Sequence, residues 1–290
     1  MSSTYMGDIC NLLTEVTCYH RTTTNIFTGD NPAYHRHDVY EIYLFIRGST
    51  RMYIEQNCYT FSPGDFIIIE PDKFHRSIVT DNTPYERIGI YFSENILKNL
   101  SSEQTDLVGC FNLRSHDNSG IIRLSSYNLK EFIRITDKYI HIRESGEYGS
   151  ELMCLCIFME LLLFTNRLFD ISKAKKYDNI MPRIVIETMK YIDANLNTTL
   201  TLAKLSGSIN YSSNYISSEF KKHTGLSLRE YILDKRIECA KKLLIDGKNV
   251  SDACLMSGFN DYSNFIRSFK KKTGIPPGHY RQSVMHKYMA

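Results

Sequence analysis

Three histidines and a glutamate are the first residues in this chain whose types and spacing could do chemistry. His35-Arg36-His37 and Glu41 lie between Gly29 and Gly48 in the spacing G-x5-H-x-H-x3-E-x6-G, and His75 follows Gly64 and Pro71 at the start of a later apolar run. Alternate residues of a strand share a face, so His35 and His37 point the same way, and a barrel can bring His75 beside them. Imidazoles with a carboxylate suit Fe, Mn, Ni, Cu or Zn. His35, His37, Glu41 and His75 are therefore candidate ligands of a divalent transition metal, the one cofactor the sequence suggests. The same side chains can instead line a polar pocket or brace a barrel without metal. Tyr43, on the parity of Glu41, joins them as a candidate ligand-binding residue, as do Arg87 and Tyr91 from a later strand. Aromatic faces and charge-assisted donors suit a sugar or another polar metabolite.

The second group is duplicated. Phe220-Lys221-Lys222-His223-Thr224-Gly225 recurs at an offset of 49 as Phe269-Lys270-Lys271-Lys272-Thr273-Gly274, with Ile216 matched to Phe265 and Ser212 to Asp261. Each copy reads as a short helix opened by Thr201 or Asn249 and a turn at Asn210-Tyr211 or Gly258-Phe259. A second helix then runs from Ser212 or Asp261 to Gly225 or Gly274. That is a helix-turn-helix, whose second helix enters the DNA major groove by its N-terminal half. Tyr215, Ile216 and Phe220 would face the core of the first copy, and Phe265 and Phe269 that of the second. The candidate DNA-binding residues are Ser213, Asn214, Ser217, Ser218, Lys221 and Lys222, then Tyr262, Ser263, Ile266, Arg267, Lys270 and Lys271. The lysines suit phosphates, which position a protein without reading sequence. Two such units can address successive major grooves about 34 Å apart.

The elements that must hold these residues follow from periodicity. Val39–Ile46, Arg51–Gln56, Asp65–Glu70, Ser77–Thr80 and Arg87–Phe92 are short apolar runs separated by turn residues, as in an antiparallel sandwich or barrel. Val16 and Cys18 hint at an earlier strand. Leu129–Ile142 and Glu151–Phe169 have helical periodicity, Ile171–Met181 is a lysine-rich linker, and Pro182 suits a first helical turn. The expected fold class is α+β with two domains. Residues 1–175 form an antiparallel barrel followed by helices, which the resemblance described next implies is a cupin-like ligand-sensing and dimerisation domain, and residues 182–290 form an all-α double helix-turn-helix domain.

Leu205–Gly225 and Arg236–Arg281 resemble the DNA-binding domain of AraC/XylS-type transcription regulators. The second stretch carries Gly258-Phe259, Phe265-Ile266-Arg267-Ser268-Phe269-Lys270, Gly274-Ile275-Pro276-Pro277 and Arg281 in the family's order. The resemblance covers roughly residues 182–284 and implies that Leu228–Leu244 is the helix joining the two units. Ser206 and Cys254 stand where the family usually has Ala, and Ser218 stands where it usually has a long polar residue. Asn214 and Arg267 are therefore the expected main contacts, Arg267 to a base edge or a phosphate. The histidine spacing is similar to the first motif of metal-binding cupins and to the cupin-like sensor domain of AraC-type regulators. The second cupin motif is partial, with Lys73 where glycine is usual.

Charge agrees with this division. The chain has 290 residues and a net charge of +3, but residues 182–290 hold 17 Lys and Arg against 9 Asp and Glu, a balance of +8 that leaves −5 for the rest. A basic third on an acidic body suits a polyanion partner for one half only. With 42% hydrophobic residues a core is available, and disorder is excluded as a class. Eight cysteines without CxxC spacing read as reduced thiols, and the polar start Met1–Cys10 lacks a secretion signal. Leu152–Phe169 is nearly apolar but carries Glu160, Asn166 and Arg167, so it reads as a soluble helix buried on most of its circumference. Met153, Ile157, Glu160, Leu161 and Phe164 share one face of it, so Glu160 needs a partner or a rim position. The expectation is a cytoplasmic transcription regulator, not an enzyme. Its expected partners are double-stranded promoter DNA, a small-molecule effector, RNA polymerase and a second copy of the chain, with no membrane. The alternatives are a metal-dependent cupin enzyme with a helical appendage and a ligand-independent DNA-binding regulator.

Overall fold

The computed structural model describes residues 16–24, 32–108, 111, 120–171 and 178–289. Gly29, Cys10, Cys110, the polar start and the lysine-rich stretch 172–177 lie outside the described residues. The chain divides into two compact units, Met1–Ile180 and Met181–Ala290.

The first unit contains β1 (Thr17–Thr23), β2 (Tyr40–Arg47), β3 (Thr50–Ile54), β4 (Asn57–Phe61), β5 (Asp65–Ile69), β6 (His75–Val79), β7 (Tyr85–Phe92) and β8 (Ile121–Arg123). They pair antiparallel in two sheets, β1-β7-β2-β5-β8 and β4-β3-β6. The helices are α1 (Glu94–Leu100), α2 (Ser126–Ser145) and α3 (Ser150–Ile171). Strand alternation sorts the larger sheet into two faces. Tyr40, Ile42 and Leu44 of β2 and Ile88, Ile90 and Phe92 of β7 pack with α1, α2 and α3 through Leu97, Phe132, Ile135 and Phe158. Tyr43, Phe45 and Tyr85 face the other way and meet Met52, Tyr59, Phe61 and Val79 of the smaller sheet. Asp65, fully buried, binds Arg123 through both carboxylate oxygens at 2.7 and 2.9 Å and so clamps β8 to β5.

Three elements were not anticipated from the sequence. The run Arg51–Gln56 is one strand that ends at Ile54, and Glu55 at φ 47° turns the chain into an unforeseen strand, β4, at Asn57–Phe61. A tight hairpin usually announces itself by Asn-Gly or Asp-Gly, and Glu55-Gln56 carries neither. β8 is three residues long and is held by its partner rather than by its own pattern. α1 is a helix of only seven residues. α3 is less enclosed than expected. Its buried stripe is Cys154, Ile157, Phe158, Leu161, Leu162, Thr165 and Leu168, while Leu152, Met153, Met159 and Leu163 are exposed. Glu160 lies 3.6 Å from Arg134, on the rim rather than in the core.

The second unit contains α4 (Arg183–Ala194), α5 (Leu202–Ile209), α6 (Ser213–Thr224), α7 (Leu228–Ile245), α8 (Val250–Met256), α9 (Tyr262–Thr273) and α10 (Pro277–Met289). Pro182 is the residue before α4 rather than part of its first turn. Thr201 and Asn249 cap α5 and α8 by accepting from Lys204 N and Asp252 N, and Ser227 with Glu230 forms a capping box on α7. Gly258, at φ 87°, ends the first helix of the second copy, and a Cβ there would stand 2.1 Å from Leu196 O. Gly274, at φ 80°, has open space around it. Gly258→Ala should therefore cost about 3 kcal/mol in urea unfolding, from strain plus the clash, while Gly274→Ala costs about 1 kcal/mol, from backbone strain alone.

Candidate nucleic-acid interface and histidine–glutamate cluster

The repeat folds twice into the same device. Ser212 Oγ accepts from Tyr215 N and Asp261 Oδ1 from Asn264 N, opening α6 and α9. Gly225 and Gly274 close them in the left-handed conformation, their N–H groups donating to Lys221 O and Lys270 O at 2.7 and 2.8 Å. Thr224 and Thr273 hydroxyls donate back to Phe220 O and Phe269 O. Ile216 and Phe220, then Phe265 and Phe269, are fully buried.

The exposed faces differ from the sequence expectation at four positions. Tyr215 is 49% exposed and not a core residue. Its counterpart 49 residues on is Asn264, also exposed, and the repeat alignment alone could have shown that this position faces out. Ile266 is half-buried, packed on the cluster of Phe259, Phe265 and Phe269, and is not presented outward. Its counterpart Ser217 is half-buried too and donates to Ser213 O at 2.8 Å. Both sit beside the core stripe, one position after Ile216 or Phe265, where a helix of 3.6 residues per turn flanks its buried face. Ser213 is half-buried and donates to Leu202 O. Asn214, Ser218, Tyr262, Ser263 and Arg267 are exposed as expected.

The lysines also separate. Lys222 pairs with Glu219 at 3.3 Å and Lys272 with Asp234 at 2.5 Å. Lys221, Lys270 and Lys271 are exposed and make no ion pair or hydrogen bond among the described residues.

In the first unit, β2 and β7 pair with Glu41 opposite Tyr91. Glu41 is buried, and its Oε1 accepts from Tyr91 Oη at 2.8 Å. Its Oε2 lies 3.2 Å from His37 Nε2 and 3.0 Å from His75 Nε2. Burial alone would raise the Glu41 carboxyl, but the facing imidazoles and the Tyr91 hydroxyl hold it at about 2. His37 is raised, burial being outweighed by Glu41, whereas His35 is lowered by burial and by His75. The ligand atoms of His37, Glu41 and His75 lie within 4.8 Å of one another. His35 stands outside this trio. Its ring is 4.4 Å from that of His75 and its Nδ1 is 3.1 Å from Ala33 O. Its backbone pairs with that of His75.

The donor set fits a cation by a specific test. His37 Nδ1 lies 2.8 Å from Val39 O, and His75 Nδ1 lies 2.8 Å from Lys73 O. Nitrogens so placed carry the ring proton, which turns each Nε2 lone pair toward the carboxylate. His75 Nε2 is buried and faces Glu41 Oε2 at 3.0 Å outside hydrogen-bond geometry. Two lone pairs and a carboxylate converging this way need a positive charge between them, a proton or a metal ion.

Tyr43 and Arg87 do not join the trio. Tyr43 Oη bonds Tyr85 Oη, and Arg87 bonds Thr23 Oγ1 at 3.2 Å and lies 4.5 Å over the Tyr85 ring. Tyr19 completes this second group, with its ring over Gly89, where a Cβ would stand 2.4 Å from it. Tyr19 and Tyr85 escaped sequence reading because only the pairing of β1 with β7 brings them together.

Comparison with known proteins agrees with both halves. Residues 18–126 match a family model described as an AraC-like ligand binding domain, and residues 205–283 match a helix-turn-helix domain. The HTH-type transcriptional regulators YobQ and YtdP of Bacillus subtilis are similar to this chain. YobQ is 41% identical over 33% of this chain and 41% of its own length, and YtdP is 38% identical over 37% and 14%. The regulator SAR0107 of Staphylococcus aureus is 23% identical over 84% of this chain and 33% of its own length. The chain thus spans less than half the length of these curated relatives. Among solved structures, the C-terminal domain of the response regulator yesN from Fusobacterium nucleatum is 35% identical over 32% of this chain and 93% of that one, with a TM-score of 0.31. With an AraC-like ligand binding domain built on the two sheets and an AraC-type helix-turn-helix domain built on the duplicated helices, the chain belongs to the AraC family.

Proposed function

We propose that the chain is a transcription regulator rather than an enzyme. In this reading α6 and α9 enter successive major grooves of promoter DNA, and the two-sheet domain takes a small polar effector. The observation that carries the DNA half is the duplicated, twice-capped helix with a polar exposed start and free lysines one turn later. Asn214, Tyr215 and Ser218 would meet base edges from the first unit, and Tyr262, Ser263, Asn264 and Arg267 from the second. Lys221, Lys270 and Lys271 would hold phosphates. The effector would act by favouring one arrangement of the protein over another, and contact with RNA polymerase belongs to the same reading.

The effector half is supported by the polar interior of the two-sheet domain, where Tyr19, Tyr43, Tyr85 and Arg87 form one group and His37, Glu41, His75 and Tyr91 another. A second reading of the latter group is a metal site, favoured by the buried His75 Nε2 that faces Glu41 Oε2 outside hydrogen-bond geometry. His37, Glu41 and His75 would hold the ion, Tyr91 would fix the carboxylate, and the ion would neutralise the converging lone pairs. A homodimer is supported by α3, whose exposed Leu152, Cys156, Met159 and Leu163 repeat at alternating four- and three-residue steps like one seam of a coiled coil.

Each part has its own measurement. With a duplex from the promoter region, Arg267→Ala should weaken binding by about 1–3 kcal/mol, and Lys270→Ala should reduce the slope of log affinity against log salt by about 1. A flat salt dependence would overturn the DNA reading. After dialysis against Zn(II) or Mn(II) and desalting, the full chain should retain about one ion, counted by mass spectrometry, and Glu41→Gln should retain less than about a tenth of that. Failure of the unmodified chain to retain an ion would leave the trio as a hydrogen-bonded brace. Met159→Lys should shift the sedimentation of a dimer to that of a monomer without lowering the melting temperature, because it places a charge in the seam and not in the core.

A further inference from the structure

The second unit contains a cleft of about 710 Å³ between its two reading helices. Ser217 and Lys221 of α6 form one side, Asp261, Asn264 and Ser268 of the second copy the other, and α7 the floor. Its walls are largely aliphatic, with Leu200, Leu202, Leu205, Leu228, Ile232 and Leu233 among them, and Leu202 is 47% exposed. A volume of this size is that of a small-molecule pocket. The aliphatic floor has no counterpart on duplex DNA, whose phosphates would gain nothing by facing it.

The polar groups at the cleft are unequal. Asp261 caps α9, and Arg236 is committed to Leu196 O and Thr198 O at 3.1 and 2.8 Å. Lys221 and Arg229 are exposed and make no hydrogen bond or ion pair among the described residues. Glu230, whose carboxyl feels the charge of Lys221, is held in the capping box by Ser227. Two free cations beside aliphatic walls are the complement of an amphipathic anion. Such a ligand buries its hydrocarbon while its head keeps strong, charge-assisted bonds.

We propose that this cleft binds a small apolar molecule with one anionic head, and that this ligand and duplex DNA compete for the C-terminal unit. Competition follows from the lining: Lys221 would serve both the head group and a phosphate, and the occupant stands between the two helices that must enter DNA together. This goes beyond the regulator reading, which places the effector in the two-sheet domain, and calorimetry tests the site even if no operator is found.

The probe is decanoate below its micelle concentration, titrated into the full chain and compared with decanol and decyltrimethylammonium. One decanoate should bind per cleft, and decanol should bind about tenfold more weakly, the size of one charge-assisted hydrogen bond. Arg229→Gln, an exposed change that leaves the core intact, should weaken decanoate by a similar factor and leave decanol unaffected. Ile232→Trp should fill the cleft and abolish binding. Bound decanoate should displace a labelled duplex at low salt from the unmodified chain but not from Ile232→Trp. Three results would overturn the proposal: equal affinity for decanol, decanoate binding that neither substitution changes (which would place the ligand elsewhere), or saturation with decanoate that leaves duplex binding unaltered.

Discussion

Burial of the larger sheet on both faces is the constraint on which the first unit rests. β2 lies between β7 and β5, with helices on one side and the second sheet on the other, so nearly all of Tyr40–Phe45 is buried. Strand alternation then decides the chemistry. Ile42 and Leu44 pack on the helices, and Glu41 and Tyr43 turn to the interior. A slip of one residue would carry Glu41 into the aliphatic layer, unpaired and unsolvated, a cost of several kcal/mol that fixes the register. The pairing of Glu41 with Tyr91, and through it the convergence of His37 and His75, follows from that register.

The second unit solves a different problem, since a short helix has little stability alone. Each reading helix is held at three points: a side-chain cap at its start, two buried apolar residues on one face, and a left-handed glycine at its end. The aromatic pair Phe265 and Phe269, with ring centroids 5.6 Å apart, seats α9, and Phe220 against Tyr231 seats α6 on α7. With orientation fixed by these anchors, the exposed residues are free to be polar. The exposed positions Asn214, Ser218, Ser263 and Arg267 can therefore change without touching the core.

The two units place charge to different ends. In the first, a carboxylate is buried and matched by imidazoles and a phenol, an arrangement that is costly unless fully satisfied and that marks a site. In the second, cations stay in water at helix ends, where they cost little to hold and their field reaches beyond the surface. Lys222 and Lys272 have ion-pair partners and Lys221, Lys270 and Lys271 have none among the described residues, so the basic balance of the sequence overstates the number of free cations.

The sequence by itself determined the fold class, the helix ends and the duplicated device. Caps, glycines and apolar periods are local signals, readable wherever the residue that makes the contact lies within about four positions of its partner. The long helices were legible for that reason, and the equivalence of Tyr215 with Asn264 was present in the repeat. What the tertiary structure decided is non-local. It folded Asn57–Phe61 back on Thr50–Ile54 as a hairpin, excluded His35 from the trio, separated Tyr43 and Arg87 from Glu41, and brought Tyr19 over Gly89. Each of these depends on which strand lies beside which and in what register. That information is held by the packing of a whole sheet, because a backbone hydrogen bond between strands leaves no trace in the identity of the residues that make it.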